Sequence, residues 1–464
     1  MKSIFVLVMV LSQIAWGLEF QGTGFGKDMK EAKYEALADL SQSIKSEVHS
    51  SFISHKQETK NSAQSFTQAD IKVSSNLPIL GAQFELFENE GIIEALVRLP
   101  LPQTKILYTQ KLQSLYKEIQ DLNTESKVNT KSEYKEKILK VLLNRLKEYD
   151  RYRSVALVLG LNEMQNPEVN KAFVEVSLLA LEDKVDTLDK GINIIAKEFI
   201  KYKNIYLYPP KQSQSHEVTP FAKSIKMKLQ ASLSTSLSPS SADYWLIGEY
   251  SESDKGIVLS YTLVDVNKRE NIAANTVSFP LGTYKGLRTK PSSLSFDKLL
   301  HEGIALSNDF KVAVSTNKGT EDLLFLKDEE IDLTIKLNKM GYYYIVGYTQ
   351  NKSQKRAYLL ELEDAPGNAK FIKFVNADDA NKWINLGSFV IEEPFGIESI
   401  QVIASNKKIK ILPKHYYDEK SGYFFVGQDM KKGLASTRGL IRKKDKDKQV
   451  LKAEAVLTFT TMKK

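Results

Sequence analysis

Ile331-Asp332-Leu333-Thr334-Ile335-Lys336-Leu337 alternates apolar and polar residues without a break. A helix cannot use that pattern, because its same-face residues recur every three to four positions, whereas a strand with one wet face can. Upstream stand Phe310-Lys311-Val312-Ala313-Val314 and the turn Asn317-Lys318-Gly319. Downstream come Gly341 to Tyr348, Ala357 to Leu362, Glu393-Pro394-Phe395-Gly396 and Ser399 to Ala404. Short strands separated by turn residues predict a β-sandwich. Within it, Tyr342, Tyr343 and Tyr344 read as a half-buried strand with aromatic cross-strand contacts, or as the lining of a groove.

The chain has 464 residues, too many for one ordinary core, so several modules are expected. The net charge of +8 is spread over a large surface and fits a solvated exterior; it would also suit an anionic surface. There is no cysteine, which excludes disulfides, zinc-thiolate sites, thiol nucleophiles and a cysteine-borne lipid anchor. At the N-terminus, Lys2 precedes an apolar run from Ile4 to Leu11, and Ala15-Trp16-Gly17 puts small residues where a signal peptidase reads. A signal peptide over 1–17, cleaved near Gly17, is expected. No later apolar run approaches the ~20 residues a membrane-spanning helix needs. The mature protein is therefore expected in the periplasm or associated with the outer membrane.

The fold class expected is α+β and multidomain. A helix-on-sheet module is read over 18–103. Its helix starts at Asp28, with Glu31 completing a capping box, and carries the stripe Leu37, Leu40, Ile44, Val48 and Phe52. The segment Gln57 to Gln68 is read as a fraying or looped stretch. Phe84 to Phe87 and Ile92 to Leu99 flank Asn89-Glu90-Gly91 as a hairpin. Gly22, Gly24 and Gly26 lack the spacing of a dinucleotide or phosphate loop and are read as a tight strand-to-helix turn. A helical hairpin acting as a spacer follows over 104–150. An α/β middle module covers 151–285, with strands expected at Val155 to Leu159 and Ala172 to Leu179 and a helix starting at Thr219-Pro220. A linker helix covers 286–309. The sandwich covers 310–464, ending in a basic run, Arg438 to Lys448, read as a solvated loop, and a last strand, Ala453 to Phe459.

Three stretches resemble known families. Gly22-Thr23-Gly24, the Ala32/Ala36/Leu40/Ile44 helix and the strand Ile92 to Leu99 resemble the Lpp-twenty type of outer-membrane lipoprotein, also seen in flagellar outer-ring proteins. Members of that family are often lipidated on cysteine, which this chain lacks. Ala242 to Gly248, Leu259 to Asp265 and the strand to Phe279 resemble the domain shared by curli-secretion-pore proteins, the amino-terminal domain of TolB and a flagellar outer-membrane protein. That resemblance implies a fold, and no long amphipathic strands for a pore are present. Phe310 to Thr316, Ile331-Asp332-Leu333, Gly341 to Tyr344 and Pro394 to Glu398 resemble the domain of unknown function numbered forty-three eighty-four. That domain implies a β-sandwich interaction module.

The five histidines, His49, His55, His216, His301 and His415, are scattered and are not expected to form a ligand set. Serine-hydrolase, zinc-protease and phosphate-loop motifs do not occur. Adjacent acids at Asp378-Asp379 and Glu392-Glu393 would point to opposite faces of a strand. No catalytic residue, cofactor or metal is therefore expected. The expected function is that of a non-enzymatic exported envelope protein working by protein–protein contact, an outer-membrane or flagellar assembly factor among the options. The alternative is a periplasmic ligand-binding or regulatory protein using the aromatic sandwich. The interaction surface would be Tyr342, Tyr343 and Tyr344 together with Arg438, Arg442, Lys443 and Lys444, the basic residues meeting an anionic surface. Envelope or flagellar proteins are the expected partners, oligomerisation is compatible with the sequence, and nucleic acid is not expected.

Overall fold

In the computed structural model, residues 20–26, 28–58, 77–89, 92–128, 132–161, 163–181, 185–212, 215–292, 294–301, 310–351, 355–442 and 450–464 are described. The expected signal peptide, most of Gln57 to Gln68, the turn residues Glu90 and Gly91, and the basic residues from Lys443 to Lys448 lie outside them. The protein is α+β. It divides into two compact units, one of 1–128 and 145–170, the other of 129–144 and 171–464.

In the first unit, strand β1 (Phe20–Gly26) pairs antiparallel with β3 (Ile92–Leu99), which pairs antiparallel with β2 (Gln83–Asn89). Helix α1 (Met29–Glu58) covers this sheet. The cap forms as expected: the Glu31 amide donates to Asp28 Oδ1 at 2.8 Å. Ala32, Ala36, Leu40 and Ile44 are fully buried. The glycines have a reason other than a turn. Gly22, Gly24 and Gly26 share one face of β1, and α1 lies directly on it. A Cβ on Gly24 would sit 2.1 Å from the Ala36 amide nitrogen, and one on Gly22 2.4 Å from the Ala36 carbonyl oxygen. The strand is bare so that the helix backbone can touch it. Asp39 from the same helix accepts the Thr23 amide of this edge strand at 3.0 Å.

Helices α2 (Leu101–Val128) and α3 (Ser132–Val158) run antiparallel, as expected. Lys111 pairs with Glu148 at 2.9 Å, Glu118 with Arg145 at 2.8 Å, and Tyr108 meets Tyr152 edge-on. They are no free spacer. The Tyr108 hydroxyl donates to the Pro78 carbonyl and accepts the Leu80 amide, tying α2 into the first unit. The strand expected at Val155 to Leu159 is the last turn of α3 and the residue after it. Its apolar run continues the helical stripe of Tyr149, Tyr152, Val155 and Leu159, all buried. The strand expected at Ala172 to Leu179 is likewise helix α4 (Lys171–Leu181), with Val174 and Leu178 one turn apart in the core.

In the second unit, β4 (Ile205–Leu207) and β5 (Lys211–Gln212) lie parallel to β6 (Tyr244–Glu252). Strands β7 (Gly256–Asp265) and β8 (Asn271–Pro280) continue as an antiparallel meander. Helices α5 (Leu188–Phe199) and α6 (Pro220–Gln230) pack on this sheet. Thr219 caps α6 as read from the sequence, its Oγ1 accepting the Ala222 amide ahead of a proline at the first helical position. Helix α7 (Leu294–His301) falls where the linker helix was expected.

The sandwich is built from two sheets. The smaller runs β15 (Ile384–Val390), β11 (Glu330–Leu337), β9 (Val312–Thr316). The larger runs β10 (Leu323–Leu326), β19 (Lys452–Met462), β16 (Ile397–Ser405), β12 (Gly341–Gln350), β13 (Lys355–Leu359), β18 (Tyr423–Val426), β17 (His415–Asp418), with β14 (Lys373–Val375) also on β12. Ile331, Leu333, Ile335 and Leu337 of β11 all face the core, as their alternation demands. The last strand enters the larger sheet between β10 and β16: β19 pairs with β16 over nine residues. Of the basic run expected as a loop, residues 438–442 belong to helix α8 (Met430–Arg442).

Replacing Gly24 with alanine forces α1 and β1 apart, and overpacking of this kind costs about 1–3 kcal/mol. Since the clash is with backbone, the upper end is expected, measured as lost hydrogen-exchange protection of residues 20–26; unchanged protection would mean that the glycine face is not the contact described.

Candidate functional site

The larger sheet of the sandwich is covered on both faces, and that decides where the expected site residues fall. Tyr343 faces the sandwich core and Tyr344 the opposite core, and both are buried. Their hydroxyls are pushed well above the ordinary tyrosine range by burial. Tyr342 is half-buried and packs on Phe374, its cross-strand partner, at 4.7 Å. The three tyrosines therefore do not form one surface: of the two readings, the strand with an aromatic cross-strand contact holds at Tyr342, and the groove is corrected. Arg438 is corrected too. It is buried on α8, donates to the Leu299 and Leu300 carbonyls at the end of α7, and pairs with Glu454 of β19 at 3.1 Å. A cation on the last carbonyls of a helix compensates their dipole. Arg442 ends α8, and Lys443 and Lys444 lie outside the described residues.

What the fold brings together instead is a polar junction within the second unit. Segment 215–219, between β5 and α6, is anchored residue by residue. The His216 amide donates to Asp297 Oδ2 at 2.9 Å. Glu217, buried, accepts Arg288 Nη2 at 2.7 Å and the Ser292 amide at 2.6 Å. The Val218 amide donates to Thr460 Oγ1 of β19 at 2.9 Å. Thr219 Oγ1 meets the Tyr250 hydroxyl at 2.9 Å. Leu324 of β10 completes the apolar core of the middle sheet.

Two charged groups define the junction. Lys211 of β5 pairs with Asp322, just ahead of β10, at 3.2 Å, with side chains only 7% and 3% exposed. Burial works against the charged lysine, but Asp322, Glu321 and Glu249 more than offset this and hold its pKa above the ordinary value; burial also raises that of Asp322, against the pull of Lys211. The second group is His216, Asp297 and His301. Asp297 and His301 sit one turn apart on α7, and His216 comes from the anchored segment. His216 Nδ1 lies 3.0 Å from Asp297 Oδ2, and His301 Nε2 lies 3.4 Å from Asp297 Oδ1 and 3.1 Å from Thr458 Oγ1. The two imidazoles stack, centroids 3.9 Å apart and 16° from parallel. Burial and the charge of His216 hold His301 down to about 3, so its ring is neutral. Burial also works against a charged His216, yet the carboxylate beside it raises its pKa.

The sequence reading treated these histidines as isolated. One signal was available: Asp297 and His301 stand four apart in a helix, which puts an oxygen and a nitrogen donor on one face. The third member comes from 81 residues upstream, beyond any spacing rule.

No protein-family model and no curated protein matches the chain. The three family resemblances read from the residues thus gain no support from these searches. Among solved structures, the chain is similar to the secreted protein HP1454 from Helicobacter pylori, at 16% identity and a TM-score of 0.20, over 61% of this chain and 93% of that one. It is also similar to TolB from Acinetobacter baumannii, at 10% identity and a TM-score of 0.12, over 49% of this chain and 72% of that one. Among the described residues, no helix is long and apolar enough to cross a membrane.

Breaking one half of a buried ion pair leaves the other charged and dry, at a cost of about 3–5 kcal/mol. Asp322→Asn is the clean test, because Asp322 has a φ of 51°, which asparagine also tolerates. It should lower the unfolding midpoint of the second unit sharply, while Lys211→Met in the same chain should recover much of the loss. A mild single variant, or no recovery in the double, would contradict a desolvated pair.

Proposed function

We propose that this chain is an exported envelope protein that works by binding other envelope proteins and not by catalysis, a flagellar or other outer-membrane assembly factor being one such role. The export pattern at Lys2 to Gly17 supports the location. The observation that carries the contact reading is the outer hairpin of the larger sheet. The strand order ends at β17, whose Tyr416 and Tyr417 are each about half exposed, as is Tyr423 of β18. Across the hairpin stand Phe424 and Phe425, in tilted ring contacts, with Tyr417–Phe424 at 4.8 Å and Tyr416–Phe425 at 6.0 Å. An outermost strand offers backbone donors and acceptors, and exposed aromatics beside it offer apolar area. Together they suit an extended segment of a partner that adds a strand at β17.

A photo-crosslinking residue at Tyr417 of the full chain, expressed in its own cells, should trap one or a few envelope proteins in the exported fraction. The same residue at Leu237, an exposed position of the middle module, should not. Equal yields from both positions, or recovery of the protein in the cytoplasm, would overturn the reading.

A further inference from the structure

We propose that His216, Asp297 and His301 form a binding site for a divalent transition-metal ion of the zinc class. The donor set is two imidazole nitrogens and one carboxylate oxygen, and all three atoms lie within 4.8 Å of one another. Two of the separations can be compared with coordination geometry. A tetrahedral ion with bonds of about 2.0–2.1 Å spaces its ligands roughly 3.3 Å apart. His216 Nδ1 to Asp297 Oδ2 is 3.0 Å, and Asp297 Oδ1 to His301 Nε2 is 3.4 Å. The carboxylate meets the stacked rings at their nitrogen edges, Oδ2 toward His216 and Oδ1 toward His301.

An independent observation points the same way. Asp297 is 4% exposed, and its Oδ1 is buried without accepting a hydrogen bond. His301 Nε2 lies 3.4 Å from that oxygen, and a buried carboxylate oxygen without a hydrogen bond costs free energy unless something positive meets it. The other oxygen accepts the His216 amide, and that hydrogen bond fixes the orientation of the carboxylate. His216 is partly exposed and gives an ion a way in from solvent; Thr458 Oγ1 or water supplies the fourth position. Two imidazoles favour zinc, cobalt, nickel or copper over magnesium or calcium. Bound there, the ion fastens segment 215–219 to helix α7.

Cobalt(II) and zinc(II) titrations of the purified full chain, freed of metal by chelator, test this directly. One equivalent of Co²⁺ should bring up visible d–d bands, which one equivalent of Zn²⁺ should displace and Mg²⁺ should not. Asp297→Asn and His301→Gln should each weaken Zn²⁺ binding by about 100-fold or more, given that losing a group that only orients a ligand costs about 10–100-fold. His415→Gln, elsewhere in the sandwich, should leave it unchanged. Absence of cobalt bands in the wild-type chain at millimolar metal would overturn the proposal, and needs no variant to fold. So would binding that survives Asp297→Asn or is lost with His415→Gln, since the metal would then sit on other groups.

Discussion

A lysine ammonium almost without water is the constraint on which the second unit depends. Asp322, 3.2 Å away, with Glu321 and Glu249 near it, favours the charged form of Lys211 against its burial. Lys211 belongs to the middle sheet and Asp322 to the sandwich. Removing either partner while the junction stays closed leaves a buried charge unmatched, which is worse than never having buried it. The rest of the junction follows. Segment 215–219 runs through it with its amides spent on Asp297 and Thr460 and its buried carboxylate spent on Arg288 and Ser292. Leu324 crosses into the apolar core of the other module. The middle sheet, α7 and the sandwich are therefore one compact unit.

Strand β19 shows how one element serves both sides. Ala453, Ala455, Leu457 and Phe459 fill the sandwich core. Glu454, Thr458 and Thr460, pointing the other way, meet Arg438, His301 and the Val218 amide. Period-two alternation normally separates a core face from a wet face. Here it separates an apolar core from a dry polar one. The polar face extends inward: the Tyr348 hydroxyl donates to Gln401 Oε1 at 2.5 Å, and Gln401 Nε2 donates to Glu454 at 2.7 Å. These groups give the contact direction, since each hydrogen bond fixes a register that apolar packing alone would leave loose.

Local signals were legible in the sequence, and contacts between distant segments were not. The cap at Asp28, the start at Thr219-Pro220, the alternation of Ile331 to Leu337 and the strand character of Ala453 to Phe459 all rest on neighbouring residues, and all stand in the fold. Val155 to Leu159 failed because a short apolar run has no period of its own. Gly22, Gly24 and Gly26 were seen as special, but the reason lies in a helix that lands on them. Tyr343 and Arg438 were taken as surface because nothing near them in sequence says that a second layer covers the sheet. His216 needed a partner 81 residues on. The candidate site lay almost wholly in that second category.

The central claim is that the middle module and the sandwich unfold together. Two tryptophans report on them separately: Trp245 is buried in β6, and Trp383 lies beside Lys336 in the sandwich, with the ammonium 4.8 Å from its ring. Equilibrium urea unfolding should be followed by fluorescence in two otherwise full-length chains, one carrying Trp16→Phe with Trp245→Phe and the other Trp16→Phe with Trp383→Phe. A shared cooperative unit requires coincident transitions from the two probes. The account predicts one midpoint and one slope. Two well-separated midpoints would contradict it, and would mean that the buried junction does not join the modules into one folding unit.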